Sequence, residues 1–233
     1  MKTIGFIGGM SWESSLVYYE VANRRVKEIL GGFHSSKNIM LSVDFEEIQR
    51  LQHEDSWDEL NTIMANAAKQ LELAGADIIV LCTNTMHLCV DAIKASIKIP
   101  FLHIAEATGH EIIQKGISKV ALLGTKFTME KDFYKGLLNS KYGIEVLIPN
   151  DHEREVIHNI IYNELVMGVI KDSSKKKFAE IINRLEAQGA QGVILGCTEI
   201  PLLISDADVN IPTFNTTEIH AKKAVDWALN INE

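Results

Sequence analysis

Gly75-Ala76-Asp77-Ile78-Ile79-Val80-Leu81-Cys82-Thr83-Asn84-Thr85 and Gly189-Ala190-Gln191-Gly192-Val193-Ile194-Leu195-Gly196-Cys197-Thr198-Glu199 carry the same pattern twice. They align without a gap at an offset of 114 positions (Gly75 to Gly189), and each follows a Leu-Glu pair, Leu71-Glu72 and Leu185-Glu186. A short apolar run that ends in hydroxyl and thiol groups reads as a buried strand delivering reactive side chains to its carboxyl end. The alignment sets Thr83 opposite Cys197. Two such ends facing each other across a pseudo-twofold axis would hold one small molecule between two proton-transfer groups.

The repeat reaches further. Ile4-Gly5-Phe6-Ile7-Gly8 corresponds to Val120-Ala121-Leu122-Leu123-Gly124, and Ile99-Pro100 to Ile211-Pro212. Short apolar runs alternate with amphipathic stretches, the pattern of parallel sheets with crossover helices. Strands are expected at 3–7, 39–43, 78–81, 101–104, 120–123, 145–148, 193–195 and 212–214. Helices are expected at 13–30, 57–74, 86–96, 105–115, 131–141, 151–167, 174–188 and 217–230. Ser11 to Ser14 and Asp151 read as helix starts. The expected fold is α/β, with two pseudo-symmetric domains, each a mostly parallel sheet flanked by helices. An N-terminal domain takes 1–103 plus 215–233, with the last helix returning to it, and a C-terminal domain takes 104–214. Ligands bind outside the carboxyl ends of strands in open α/β sheets. The loops after Ile7, Leu81, Leu123 and Leu195 are therefore expected to line one cleft between the domains.

Composition narrows the function classes. At 233 residues, 46% hydrophobic with 4 prolines, the chain has ample core-forming material and no disordered composition. Its net charge of −8 argues against a nucleic-acid surface. The basic run Lys175-Lys176-Lys177 follows a helix start and reads as a solvated face. No apolar stretch approaches a membrane span, and the first residues lack a signal h-region, so a cytoplasmic protein without membrane partners is expected. Three cysteines without CxxC spacing argue against a disulfide framework or structural zinc.

Each motif has a functional and a structural reading. Gly8-Gly9-Met10-Ser11-Trp12-Glu13-Ser14 follows a strand and opens a helix, so its N–H groups would suit an anion. Equally, it is a tight strand–helix turn, and it lacks the dinucleotide and phosphate-loop signatures. Cys197 sits after Gly196 where a strand gives way to a turn or helix, and a helix N-terminus favours a thiolate. Cys82 and Thr83 compete for the other strand end, because adjacent strand residues face opposite ways. Alignment picks Thr83 and leaves Cys82 as a buried neighbour. Cys89 falls in a helix and reads as core. Asn84, Thr85 and Thr198 would donate hydrogen bonds to an α-carboxylate or else cap helices. In the stretch after the second strand, Arg50 or Gln52 would read a distal carboxylate. His87, His103 and His220 lack metal-ligand spacing and read as structural, so no metal is expected.

At these motifs the chain resembles the aspartate/glutamate racemase superfamily, in its aspartate racemase branch. The carriers are Ile4 to Ser14, Cys82-Thr83-Asn84-Thr85-Met86-His87, and Gly196-Cys197-Thr198-Glu199-Ile200-Pro201-Leu202-Leu203. Glutamate racemases proper show an Asp-Ser-Gly loop after the first strand and histidine after the Cys-Thr pair. Here Gly9-Met10-Ser11 and Glu199 stand instead. The resemblance implies a homodimer, no pyridoxal phosphate or other cofactor, and two cysteines exchanging the Cα proton from opposite faces. Met10, Gln52, Asn84, Thr85, Thr198 and Glu199 are expected as substrate-binding residues. This chain departs at the first cysteine, where Thr83 stands. Cys197 is therefore expected as principal base, Thr83 as the opposite-face acid/base, and L-substrates as preferred. The rival readings are hydantoin racemisation, maleate isomerisation, and a binding protein that holds an amino acid or dicarboxylate without turnover. No apolar stripe in the sequence marks a dimer interface.

Overall fold

The computed structural model describes residues 1–231, so positions 232 and 233 of the expected N-terminal domain lie outside the described residues. The first strands and helices are β1 (Ile4–Gly8), α1 (Trp12–Leu30), β2 (Asn38–Ser42), α2 (Phe45–His53), α3 (Trp57–Leu73), β3 (Ile78–Leu81), α4 (Val90–Ser96), β4 (Phe101–Leu102) and α5 (Ile104–Gln114). The second series is β5 (Lys119–Gly124), α6 (Lys126–Glu130), α7 (Asp132–Tyr142), β6 (Glu145–Leu147), α8 (Asp151–Asn163), α9 (Asp172–Ala187), β7 (Val193–Gly196), β8 (Thr213–Asn215) and α10 (Thr216–Ala228). One compact unit comprises Met1–Ile104 and the chain from His220 onward; the other is Ala105–Ile219.

In the first unit the parallel sheet runs β2-β1-β3-β4. β1 and β3 are buried throughout, as central strands covered on both faces must be. Alternation divides β3 between two cores. Ile79 and Leu81 pack with Ile48, Leu51, Leu60 and Met64 from α2 and α3. Ile78, Val80 and the following Cys82 pack with Tyr18, Ala22 and Val26 of α1 and with Ala221, Ala224 and Val225 of α10. Gly9, at φ +92°, would place a Cβ 2.2 Å from the Val43 carbonyl oxygen, so this turn excludes any side chain.

The second unit repeats the plan as β6-β5-β7-β8. The registers coincide as well. Ile7 pairs with Leu81 and Leu123 with Leu195; Ile79 pairs with Phe101 and Val193 with Thr213. The repeat also reaches the helices, and there it crosses over. α5 follows β4 as α10 follows β8, yet most of α5 belongs to the second unit and most of α10 to the first. The Tyr18 hydroxyl meets His220 Nδ1 of α10 at 2.8 Å, and the equivalent Tyr134 donates to Thr108 of α5 at 3.1 Å.

Local details depart from expectation. The strand expected at 101–104 ends at Leu102, because Ile104 already opens α5. The helix expected at 151–167 ends at Asn163, followed by a 3-10 turn, Leu165–Met167, and then Gly168 at φ +71°, a backbone state glycine adopts without penalty. Its cap is Asn150 rather than Asp151, in a capping box with Glu153. α2 and α6 escaped the periodic reading because both are short. α1 also presents an apolar stripe that the sequence reading lacked: Trp12, Leu16 and Tyr19 are 66%, 56% and 50% exposed at helical spacing.

Candidate active site

At the first strand end, the sheet ladder stops after the Cys82 N–H donates to the Ile7 carbonyl at 2.9 Å. Cys82 is fully buried, and burial pushes its thiol well above the usual range. Thr83 is only half-buried and is the more accessible of the two. Cys89 is buried too, its thiol pushed up to about 12 by burial. Asn84 and Thr85 are buried directly behind Thr83. From α2, Gln52 is buried and its Nε2 lies 3.0 Å from Met86 Sδ, beside the Thr83–Thr85 segment. Arg50 faces solvent, where it pairs with Glu54 at 2.7 Å. Residues two apart on a helix do not share a face, and this separates the two candidates.

The turn after β1 uses part of its donors internally. Ser15 Oγ accepts the Gly9 N–H at 2.7 Å, and Ser11 caps α1 by accepting the Ser14 N–H at 3.4 Å. Met10 is buried in the same apolar cluster as Met86. The structural reading of this turn therefore accounts for Gly9, Ser11 and Ser15.

At the second strand end, Gly196 leaves no room for a side chain: a Cβ would sit 2.9 Å from both Leu122 Cδ1 and the Leu123 carbonyl. Cys197 comes next, half-buried. Its Sγ donates to Glu199 Oε2 at 3.0 Å, and Thr198 Oγ1 donates to the same oxygen at 2.7 Å. Glu199 is itself buried. Desolvation and then the Glu199 carboxylate push the Cys197 thiol well above its ordinary range, outweighing the N–H groups of Thr198 and Glu199. This corrects the expected helix-stabilised thiolate. The chain beyond Cys197 forms only a three-residue 3-10 turn, Ile200–Leu202, too short for an appreciable dipole, and the nearest charge is negative. The resting group is a thiol hydrogen-bonded to a carboxylate. Tyr162 of α8 also belongs here. It packs against the same core as Cys197, and burial, reinforced by the nearby Glu199 carboxylate, raises its phenol. Nothing in its spacing on a periodic helix marked it.

Histidines with no common spacing in the sequence meet in the first unit. The His87 ring centroid lies 4.6 Å from that of His103 and 5.8 Å from that of His220. All three are buried. His87 Nδ1 is 2.8 Å from the Thr83 carbonyl oxygen, while the Ile104 N–H donates to Nε2 at 3.1 Å. His220 Nε2 lies 3.0 Å from the Leu102 carbonyl. Desolvation, reinforced by the neighbouring rings, holds His87 well below the usual imidazole range; burial brings His220 down to about 3. His87 and His220 are thus occupied in holding backbone.

Comparison with known proteins places this geometry in context. The chain is 52% identical to a Yersinia pestis protein provisionally assigned as an Asp/Glu racemase, with a TM-score of 0.93 over 98% of this chain and 100% of that one. It is 40% identical to an aspartate racemase homologue from Pyrococcus horikoshii, with a TM-score of 0.86 over 98% and 100% of the two chains. A broad specificity amino-acid racemase of Bacillus subtilis (strain 168), RacX, shares 28% identity over 72% of each chain. Residues 7–224 match the Asp/Glu/hydantoin racemase family, and the chain belongs to that family.

Proposed function

We propose that this protein is a cofactor-independent amino-acid racemase acting on aspartate or glutamate. Membership of a racemase family supports isomerase chemistry, and the named relatives include both acidic-amino-acid and broad-specificity racemases. The observation that carries the finer reading is positional. Thr83 and Cys197 occupy the same place beyond equivalent strands whose registers coincide, and each is half-buried just past a fully buried strand.

In this reading Glu199 takes the Cys197 proton as substrate binds, and the thiolate removes the Cα proton from the L-enantiomer. The C–H bond breaks, an S–H bond forms, and the electron pair remains on a carbanion beside the α-carboxylate. Donors at Asn84 and Thr85 stabilise that developing charge, joined by Thr198 when its hydroxyl turns from Glu199 to the substrate. Thr83 Oγ supplies a proton to the opposite face and is replenished from water. The two directions share their transition states and the enantiomers are equal in free energy, so the asymmetry appears in Cα exchange. L-substrate exchanges at Cys197 alone, whereas D-substrate must be deprotonated by the Thr83 hydroxyl, a far poorer base than a thiol. L-substrates therefore exchange faster. Gln52, buried beside Met86, reads the side-chain carboxylate. A neutral amide at that place discriminates less strongly than a guanidinium would.

Proton NMR of L- and D-aspartate and L- and D-glutamate in deuterated water tests this reading. Loss of the Cα signal without added cofactor, faster from L than from D, supports it. Absence of exchange with all four directs attention to hydantoins, to maleate, or to ligand binding without turnover. A homodimer is part of the proposal, and Trp12, Leu16 and Tyr19 on α1 offer it an apolar surface. Light scattering on Leu16→Glu tests that surface, with a halved mass expected.

A further inference from the structure

Thr83 lies past the end of β3, where the sheet no longer holds the backbone. A proton donor must nevertheless be placed accurately, since an error of about 1 Å can cost on the order of 10²-fold in rate. The ring of His87 fixes the Thr83 carbonyl. An amide N–H can only donate, so the Ile104 contact leaves Nε2 of His87 as a bare acceptor. The ring proton is therefore on Nδ1, and it donates to the Thr83 carbonyl. Geometry alone sets the tautomer.

The ring is itself immobilised. Its own backbone N–H donates to the Asn84 carbonyl at 3.1 Å, closing the turn that begins after Thr83. Phe101 stands edge-on at 5.5 Å and His103 at 4.6 Å, while His220 is locked between the Tyr18 hydroxyl and the Leu102 carbonyl. Ile104, the other end of the link, opens α5 and is the last residue of the first unit before the chain passes into the second. The second unit has proline, Pro201, at the position aligned with His87. There the residue aligned with Ile104 makes the tie directly: Thr216 Oγ1 donates to the Leu195 carbonyl at 2.9 Å. Both halves tie the start of the last helix to the reactive strand end, but only the Thr83 half does so through an imidazole.

We propose that His87 is a positioning residue that sets the place of Thr83 and thereby the stereochemical outcome of each turnover. This rests on the racemase reading. Once the carbanion forms, it is reprotonated from the Cys197 side, with retention, or from the Thr83 side, with inversion. Loosening Thr83 lowers inversion without touching deprotonation at Cys197.

The test monitors L-aspartate in deuterated water with the full-length protein, measuring D-product and Cα deuterium in recovered L-substrate together. His87→Gln keeps an acceptor near Nε2 for Ile104 but loses the donor at Nδ1; His87→Asn keeps a donor near Nδ1. The expected result is a fall of about tenfold in the ratio of inversion to exchange for His87→Gln, with total exchange nearly unchanged, and recovery of most of the ratio in His87→Asn. A merely structural role would lower both rates together and leave the ratio fixed, which overturns the proposal. Exchange by the wild-type protein decides the racemase reading separately. If it is absent, the Thr83 amide and methyl resonances decide the positioning role: displaced in His87→Gln and restored in His87→Asn supports it, and unmoved resonances overturn it.

Discussion

The ends of β3 and β7 share a backbone plan and a strand register, yet they differ in the groups that handle protons. At β7 the candidate group is the Cys197 sulfur, and beside it is a carboxylate, Glu199, within hydrogen-bond distance. At β3 the corresponding group is the Thr83 hydroxyl, and beside it stands an imidazole whose two ring nitrogens bond to backbone. On the proposed reading the two ends divide the work. The β7 end, which pairs a thiol with a carboxylate, takes a proton, and the β3 end, a hydroxyl on backbone held by an imidazole, gives one.

The sharpest way to break this comparison is Cys197→Ala. If the β7 end does the deprotonation, Cα exchange from L-substrate falls by about 10² to 10⁴-fold, the range that a general base supplies. Retained exchange, read by NMR, would move the base elsewhere. Glu199→Gln comes next and separates two roles of the carboxylate. Removing its charge relaxes one cause of the raised thiol, which by itself would increase the thiolate fraction near neutral pH. Removing the proton acceptor does the opposite. We expect the second effect to win, with kcat for L-substrate down about tenfold to a hundredfold and the alkaline rise of the pH profile moved to lower pH. An increase in kcat at pH 7 would reduce Glu199 to an electrostatic burden. Smaller again is Thr83→Cys, which makes the ends chemically alike. Turnover of the D-enantiomer is expected to rise about tenfold, since thiols are the readier bases. Unchanged D-turnover would show that Thr83 is not the opposite-face group.

How legible these differences were in the sequence depends on their range. The offset between Gly75 and Gly189 carried the fold, because a strict gapless repeat of a buried strand returns as one strand register, Ile7 to Leu81 and Leu123 to Leu195. Strand alternation was enough to send Cys82 into the core and leave Thr83 half-buried. The state of Cys197 was not legible. It depends on the turn after β7 folding the Glu199 side chain back onto the sulfur two residues earlier, a contact set by side-chain rotamers rather than by residue order. The choice between Arg50 and Gln52 needed the phase of α2, a helix too short to announce itself. The histidine cluster was invisible for another reason. Its members come from the turn after β3, the end of β4 and the middle of α10, and α10 reaches the first unit only because the two halves exchange their last helices.

That exchange gives the comparison its last and smallest test, in stability rather than rate. His87 and His220 are neutral in the folded protein, with pKa values held below the unfolded value near 6.5, His220 at about 3. The groups facing them are His103, the Tyr18 hydroxyl, the Phe101 ring and the carbonyls of Thr83 and Leu102. Above pH 6.5 neither the folded nor the unfolded chain protonates these two rings, and their contribution is fully present. As pH falls below 6.5, the unfolded chain takes up protons that the folded chain refuses. Each ring then costs about 1.4 kcal/mol per pH unit, or about 2 kcal/mol at pH 5. Chemical denaturation at pH 7 and pH 5 should show this loss, and replacing His220 by Gln should remove about half of the pH dependence that the pair contributes. Amide hydrogen exchange locates the effect. The Ile104 N–H, whose acceptor is the very nitrogen that would be protonated, should lose protection at pH 5 before the amides of β7 do. Equal loss at both strand ends would mean that acid acts on the molecule as a whole, and that the imidazole tie gives the Thr83 half no sensitivity of its own.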